Sequence, residues 1–219
     1  MRTIVSFWTV AVVALSNQAS SAPKPIVDNA RVTVWDLTLT AGQPDPLPPI
    51  ERASVRTYVN GGAFTMTPRG GTPHAVKHAA GDVRFVPAGT AEREGVQAGA
   101  APARVIVTEL KGAAVPPLKN ASPFPNAFPR DGAKKVVDND IVVIWDYTWT
   151  PRVPTPMHFH DKDVVVTFLR DGDLKSTTPD GQSVVNENKS GTTRFNARDR
   201  VHNEELVNGT QRAVIVELK

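Results

Sequence analysis

The sequence predicts an all-β chain in which one barrel or sandwich is built twice. Three observations carry this expectation. Residues 26–111 and 136–219 are self-similar at a nearly constant offset, each copy consists of short apolar runs broken by Gly, Pro and Asp, and no segment keeps helical periodicity beyond a turn or two. With 40% hydrophobic and 21% charged residues, the composition is that of a globular protein, which excludes disorder, collagen and coiled coil.

The chain starts with Met1-Arg2, an apolar run from Ile4 to Leu15, and small polar residues from Ser16 to Ala22. This is the order of a secretory signal, and residues 1–21 are expected to be removed on export to the periplasm or the exterior. The run is too short to span a bilayer, so no membrane association is expected after cleavage. Lys plus Arg number 25 against 22 Asp plus Glu, a net charge of +3, with no basic run or recognition motif. Nucleic acid is therefore not an expected partner. The absence of Cys excludes disulfides, thiolate nucleophiles and thiolate metal sites. Any metal chemistry falls to oxygen ligands and five His.

The repeat runs in order along both copies. Asp28-Asn29 returns as Asp138-Asn139, Trp35-Asp36 as Trp145-Asp146, and Val55-x-Thr57 as Val165-x-Thr167. Gly62, Gly71 and Gly81 return as Gly172, Gly181 and Gly191, and Arg84-Phe85 as Arg194-Phe195, all at an offset of 110. The offset falls to 108 at Glu109-Leu110-Lys111 and Glu217-Leu218-Lys219, consistent with a short loop deletion. Between the copies, residues 112–135 carry Pro116-Pro117, Pro123, Pro125 and Pro129 and read as an inter-domain linker. In the second copy, strands are expected over 141–150, 157–160, 164–170, 174–177, 192–196 and 212–218. Asp171-Gly172 and Asp180-Gly181 have hairpin-turn chemistry.

In Pro156-Met157-His158-Phe159-His160 the two imidazoles lie two residues apart in an extended segment, so both face the same way and are close enough to share one ion. His202 follows 42 residues later, after another strand-like run. At these residues the chain resembles the cupin superfamily, with its motifs G-x5-H-x-H-x3/4-E-x6-G and G-x5-P-x-G-x2-H-x3-N. His158, His160 and Gly172 fit the first motif, and Gly191 and His202 fit the second. The departures are Arg152 for the opening Gly, Val165 for the Glu, Ala197 and Asp199 for the Pro and Gly, and Leu206 for the Asn. In the first copy Gly81, Pro87 and Gly89 are kept, but the His pair is replaced by Pro48 and Ile50 and the third His by Glu92.

The resemblance implies two tandem cupin-like double-stranded β-helix (jelly-roll) barrels: a degenerate first domain, 26–111, and a metal-binding second domain, 136–219. It implies one divalent transition metal on His158, His160 and His202. Without the motif Glu, hard cations such as Mg and Ca are disfavoured, leaving Fe, Zn, Mn, Ni or Cu. Satisfied polar histidines lining a small-molecule pocket are the alternative. Asp161 and Asp163 could accept an imidazole N–H, and Asp163 could replace the lost carboxylate, against the plainer reading of a solvated turn. Glu204 and Glu205 read as a charged loop, and His74 and His78 as surface residues. The Arg198-Asp199-Arg200 cluster either steers an anionic ligand or forms salt bridges at the rim. The function expected is that of an exported metalloprotein, an oxygenase or other metal-dependent enzyme acting on a small organic molecule. The alternative is a non-catalytic binding protein for a sugar or organic acid. Homodimerisation would be in keeping with the resemblance.

Overall fold

The computed structural model describes residues 23–43, 45–47, 50–90, 92–112 and 114–219, and the expected export signal lies outside them. Among the described residues there are 17 strands and no helix, hence no helix long and apolar enough to cross a membrane. The first copy forms β1 (Val27–Asp28), β2 (Val32–Leu39), β3 (Ser54–Tyr58), β4 (Gly62–Pro68), β5 (His74–His78), β6 (Val83–Val86), β7 (Glu92–Val96) and β8 (Ala103–Leu110). The second forms β9 (Lys134–Asp138), β10 (Val142–Thr148), β11 (His158–His160), β12 (Asp163–Phe168), β13 (Gly172–Thr177), β14 (Ser183–Asn188), β15 (Thr193–Asn196), β16 (Arg200–Gly209) and β17 (Arg212–Leu218).

Each copy closes as two facing sheets. Their orders are β1-β2-β8-β3-β6 with β5-β4-β7 in the first, and β9-β10-β17-β12-β15 with β11-β16-β13-β14 in the second. Among the described residues the copies correspond strand for strand except at β11. The first-copy sequence aligned with it is Pro48-Pro49-Ile50, and proline cannot donate to a ladder.

Runs such as Val142–Ile144, Val164–Val166 and Val214–Val216 do not alternate in polarity because both of their faces are buried. Val143, Val164, Val166 and Ile215 face the interior of the second barrel. Val142, Ile144, Val165, Val214 and Val216 face outward and pack against Val32, Val34, Val55 and Ile106 of the first barrel. The largest apolar cluster is thus the one between the barrels. It is framed by a reciprocal pair of contacts. Arg104 binds Asp36 at 2.6 Å and donates across the interface to the Ser190 carbonyl at 2.7 Å. Its counterpart Arg212 binds Asp146 at 2.8 Å and reaches the Ala80 carbonyl at 3.4 Å. Gly81 and Gly191, at φ of 86° and 83°, leave the room for these arms. A Cβ on Gly81 would stand 2.7 Å from Leu169, and one on Gly191 would overlap the Arg104 guanidinium.

Residues 112–135 are not a free tether. Phe159 N–H donates to the Pro125 carbonyl and Ala127 N–H to the Phe159 carbonyl, each at 2.8 Å, so this segment covers the outer edge of β11. Ala127 and Phe128 are buried in the second core. The Pro content masked the docking, because Pro125 needs only its carbonyl to pair. Asp180-Gly181 does turn β13 into β14, while Asp171-Gly172 joins strands of opposite sheets and is no hairpin.

Because the main apolar cluster spans both barrels, they should unfold together. Ile106→Ala, at a fully buried position in that cluster, is expected to cost about 2–4 kcal/mol within a single cooperative transition. Two resolved denaturant transitions, with only the first shifted, would show independent barrels.

Candidate metal centre

Strand β11 pairs antiparallel with β16, setting His158 opposite His202 and His160 opposite Arg200. Directly opposed residues share a face, so all four side chains point into the second barrel. The ring centroids of the three histidines are 5.0, 4.9 and 5.0 Å apart, a nearly equilateral triangle. One nitrogen from each lies within 4.8 Å of the others. Among the described residues this is the group of His, Asp and Glu that could hold a metal ion.

The hydrogen bonds assign the nitrogens. His158 Nδ1 lies 2.8 Å from the Pro156 carbonyl, which can only accept, so Nδ1 carries the proton and Nε2 the lone pair. His202 Nδ1 meets Ser176 Oγ at 2.9 Å, the same arrangement when the imidazole donates. His160 Nε2 then faces His202 Nε2 at 3.0 Å. His158 Nε2 and His160 Nδ1 are buried without a hydrogen-bond partner. Two orphaned nitrogens in a triangle of imidazoles are costly in a metal-free core, and a cation between the rings removes part of that cost.

Burial pushes all three imidazoles toward the neutral form, His202 to about 4. For His160 the neighbouring Arg200 adds to the effect, whereas for His158 and His202 the Glu204 carboxylate opposes it. Glu204 is the candidate site residue that sequence reasoning passed over. It lies in the middle of β16, two residues after His202 and on the same face, where a charged loop was expected. The signal was there: alternation from an inward His202 makes Glu204 and Leu206 inward too. Its Oε2 accepts from Trp149 Nε1 at 3.2 Å and from Arg130 at 3.4 and 3.5 Å. Burial pushes the Glu204 carboxyl up, but Arg130, the imidazoles and Trp149 outweigh it and hold the group below the usual range. Arg130 is clasped in turn by aromatic rings, 4.0 Å over Tyr147 and 4.6 Å over Phe128.

The other expected neighbours stand elsewhere. Asp163 is no substitute ligand: its carboxylate accepts from Arg198 N–H at 2.9 Å and pairs with Arg31 of the first barrel at 3.2 Å. Asp161 is bound to Lys162 at 3.0 Å and Asn126 at 3.2 Å, not to an imidazole. Neither is a solvated turn. Val165, where the motif Glu was expected, faces the other barrel, and the inward positions beside it are Val164 and Val166. His74 is exposed, as expected. His78 is not: it stacks on Tyr58 at 3.8 Å inside the first barrel. There Glu94, the counterpart of Glu204, accepts from Tyr58 at 2.7 Å and Arg56 at 2.9 Å, and Glu92, the counterpart of His202, pairs with Arg84.

The triangle opens on a cavity of about 190 Å³ lined by Phe128, Arg130, Trp149, Arg194, Arg200 and Glu204 together with an apolar wall from β12, Leu174 and Ile215. Three imidazoles on one side, a carboxylate on the same strand and open space opposite form a centre that could bind a metal and present it to a small ligand.

A stability profile reports on the buried neutral imidazoles. Below about pH 6.5 the unfolded chain takes up protons on histidine that the folded chain refuses, so this part of the stability is complete above that pH and is lost as pH falls toward 4. The Tm of metal-free protein should fall by roughly 5–10 °C between pH 7 and 5. His160→Leu should flatten the fall, and an unchanged slope would contradict burial of that imidazole in the neutral form.

No family model matches the chain, and no curated protein matches it. Among solved structures, the chain is similar to a cupin 2 conserved barrel domain protein from Leptotrichia buccalis, with a TM-score of 0.59 and 14% identity over 90% of this chain and 88% of that one. It is also similar to the oxalate decarboxylase of Bacillus subtilis, a protein with Mn(II) centres, with a TM-score of 0.59 and 10% identity over 86% of this chain and 69% of that one. These likenesses and the strand orders agree: the chain has the cupin fold, in the two-barrel form that its internal repeat encodes.

Proposed function

We propose that the second barrel holds one divalent transition metal, from among Fe, Zn, Mn, Ni and Cu, on His158, His160 and His202, and uses it to transform a small organic molecule. The observation that carries this reading is the convergence of three imidazoles on one point, two of them with outer bonds that turn an unprotonated nitrogen toward it. The Mn(II) of oxalate decarboxylase fits the same expectation. Bound there, the metal would supply a Lewis acid with open positions, and Fe, Mn or Cu also a redox-active centre.

The chain's own part is legible. Pro156 and Ser176 orient two of the rings, and the apolar wall keeps water from the ligand's carbon skeleton. The contacts to Glu204 fall on Oε2 and leave Oε1 to take a proton from a bound ligand. One observation favours a second reading, that of a non-catalytic binding protein: Glu204 is already neutralised by Arg130. We also propose that the chain is exported, on the strength of the signal-like residues 1–21. An N-terminal sequence of secreted or periplasmic protein beginning near residue 22 would support it, and one retaining Met1 would overturn it.

Elemental analysis of tag-free mature protein, purified without added metal, should find about one transition metal per chain. The His202→Ala variant should lose it, and a metal-free native protein that takes up none on titration would sink the metal reading. In an enzyme, Glu204→Gln should lower kcat by about 10²-fold or more with metal content kept. An unaffected kcat would remove Glu204 from the chemistry.

A further inference from the structure

We infer that Arg200 anchors the carboxylate of a small organic acid whose hydrocarbon body lies against the apolar wall of the second barrel. This rests on the reading of that cavity as the functional site, but not on the metal.

The cavity is lined by three guanidinium groups, Arg130, Arg194 and Arg200, and by one carboxylate, Glu204. Arg130 is neutralised by that carboxylate and clasped by Tyr147 and Phe128. Arg194 donates to Asn186 Oδ1 at 3.0 Å and to the Glu187 carbonyl at 3.2 Å. Arg200 makes a single bond, from Nε to the Ala197 carbonyl at 2.7 Å, and no ion pair with any described residue. Both of its terminal amino groups are therefore left to the cavity. The first barrel shows how the imbalance arises. There Arg84, the counterpart of Arg194, is neutralised by Glu92, the counterpart of His202. Exchanging that glutamate for a neutral histidine leaves the second barrel with excess positive charge, before any metal adds more.

Partly buried and paired with no carboxylate, this guanidinium offers the cavity a planar fork that matches a carboxylate in a two-bond geometry. Register puts Arg200 opposite His160, so an acid held there lies beside the imidazole triangle. The remaining surface sets the rest of the ligand. Val164, Val166, Phe168, Leu174 and Ile215 make one side of the cavity apolar, Ser176, Asn186, Asn188 and Asn196 stand elsewhere in its lining, and a two-carbon diacid would leave the apolar side uncovered in a cavity of about 190 Å³. An aliphatic or aromatic monocarboxylate satisfies both halves.

The test is calorimetric titration of metal-stripped protein with butyrate, benzoate, the neutral isostere benzamide, oxalate and inorganic phosphate, with metal content of the unstripped protein measured in parallel. Butyrate or benzoate should bind one per chain, at least tenfold tighter than benzamide, oxalate or phosphate. Arg200→Gln should weaken the acid at least tenfold, and Arg200→Lys should recover part of the loss. Equal binding of benzoate and benzamide, tighter binding of oxalate or phosphate, no binding of either monocarboxylate, or an acid affinity indifferent to Arg200→Gln would each overturn the inference. Metal found in the unstripped protein would in those cases leave the metal reading standing, so the two can fail separately. Should Arg200→Gln not fold, Arg200→Lys decides: an affinity equal to that of the unaltered protein overturns the two-bond anchor.

Discussion

The three-residue pairing of β11 with β16 is the constraint on which the site depends. Side chains alternate along a strand, so a slip of one residue would turn His158 and His160 out of the barrel together. Several bonds outside the pair hold the register. Asp199 N–H donates to the His160 carbonyl at 2.9 Å, and Asp199 adopts a φ of 67° to do so. Thr155 exchanges bonds with Glu204 through its N–H and hydroxyl, and Arg152 N–H reaches Leu206, so the chain before β11 is already aligned along β16. On the other edge Pro125 and Ala127 grip Phe159. A segment that looks like a spacer therefore fixes the position of two imidazoles.

Duplication lets the two barrels be compared position by position. Where the second has His202, Glu204, Arg194 and Phe168, the first has Glu92, Glu94, Arg84 and Tyr58. In the first barrel these residues pair with one another: Glu92 with Arg84, and Glu94 with Arg56 and Tyr58. In the second, Glu204 pairs with Arg130, Arg194 binds Asn186, and the groups left without a hydrogen-bond partner stand at other positions: His158 Nε2, His160 Nδ1 and the terminal amino groups of Arg200. The first barrel pairs its guanidinium groups with carboxylates, whereas the cavity of the second is lined by three guanidinium groups and one carboxylate, and that asymmetry supports placing the proposed site in the second.

The fold and the histidines were legible in the sequence because both rest on spacing. A constant offset reveals a repeat, and two residues between His158 and His160 reveal a shared face. What was not legible depended on pairings between distant segments. Glu204 reads as part of a loop because the sequence pattern marks no strand between 196 and 212, and the strand from Arg200 to Gly209 shows only when β13 is set beside it. His78 passed for a surface residue because its partner Tyr58 comes from another strand. The Pro-rich segment hid its role because pairing through a carbonyl leaves no mark on side-chain pattern.

Asp163 shows how strictly parity governs what a strand can offer. It begins β12, and Asp163, Val165 and Thr167 share the face turned from the cavity. From there Asp163 can reach Arg31 of the first barrel, but no displacement short of a register shift would bring it to the histidines. The inward residues of β12 are Val164, Val166 and Phe168, so this strand has no acid to give the centre at any position. The carboxylate has instead been placed on β16, the strand that already carries His202. Tied to one strand, the acid and the imidazole keep a fixed separation while the wall opposite is left entirely apolar. That wall, with no acid to offer a metal, is the apolar side of the cavity against which the proposed ligand's hydrocarbon body would lie.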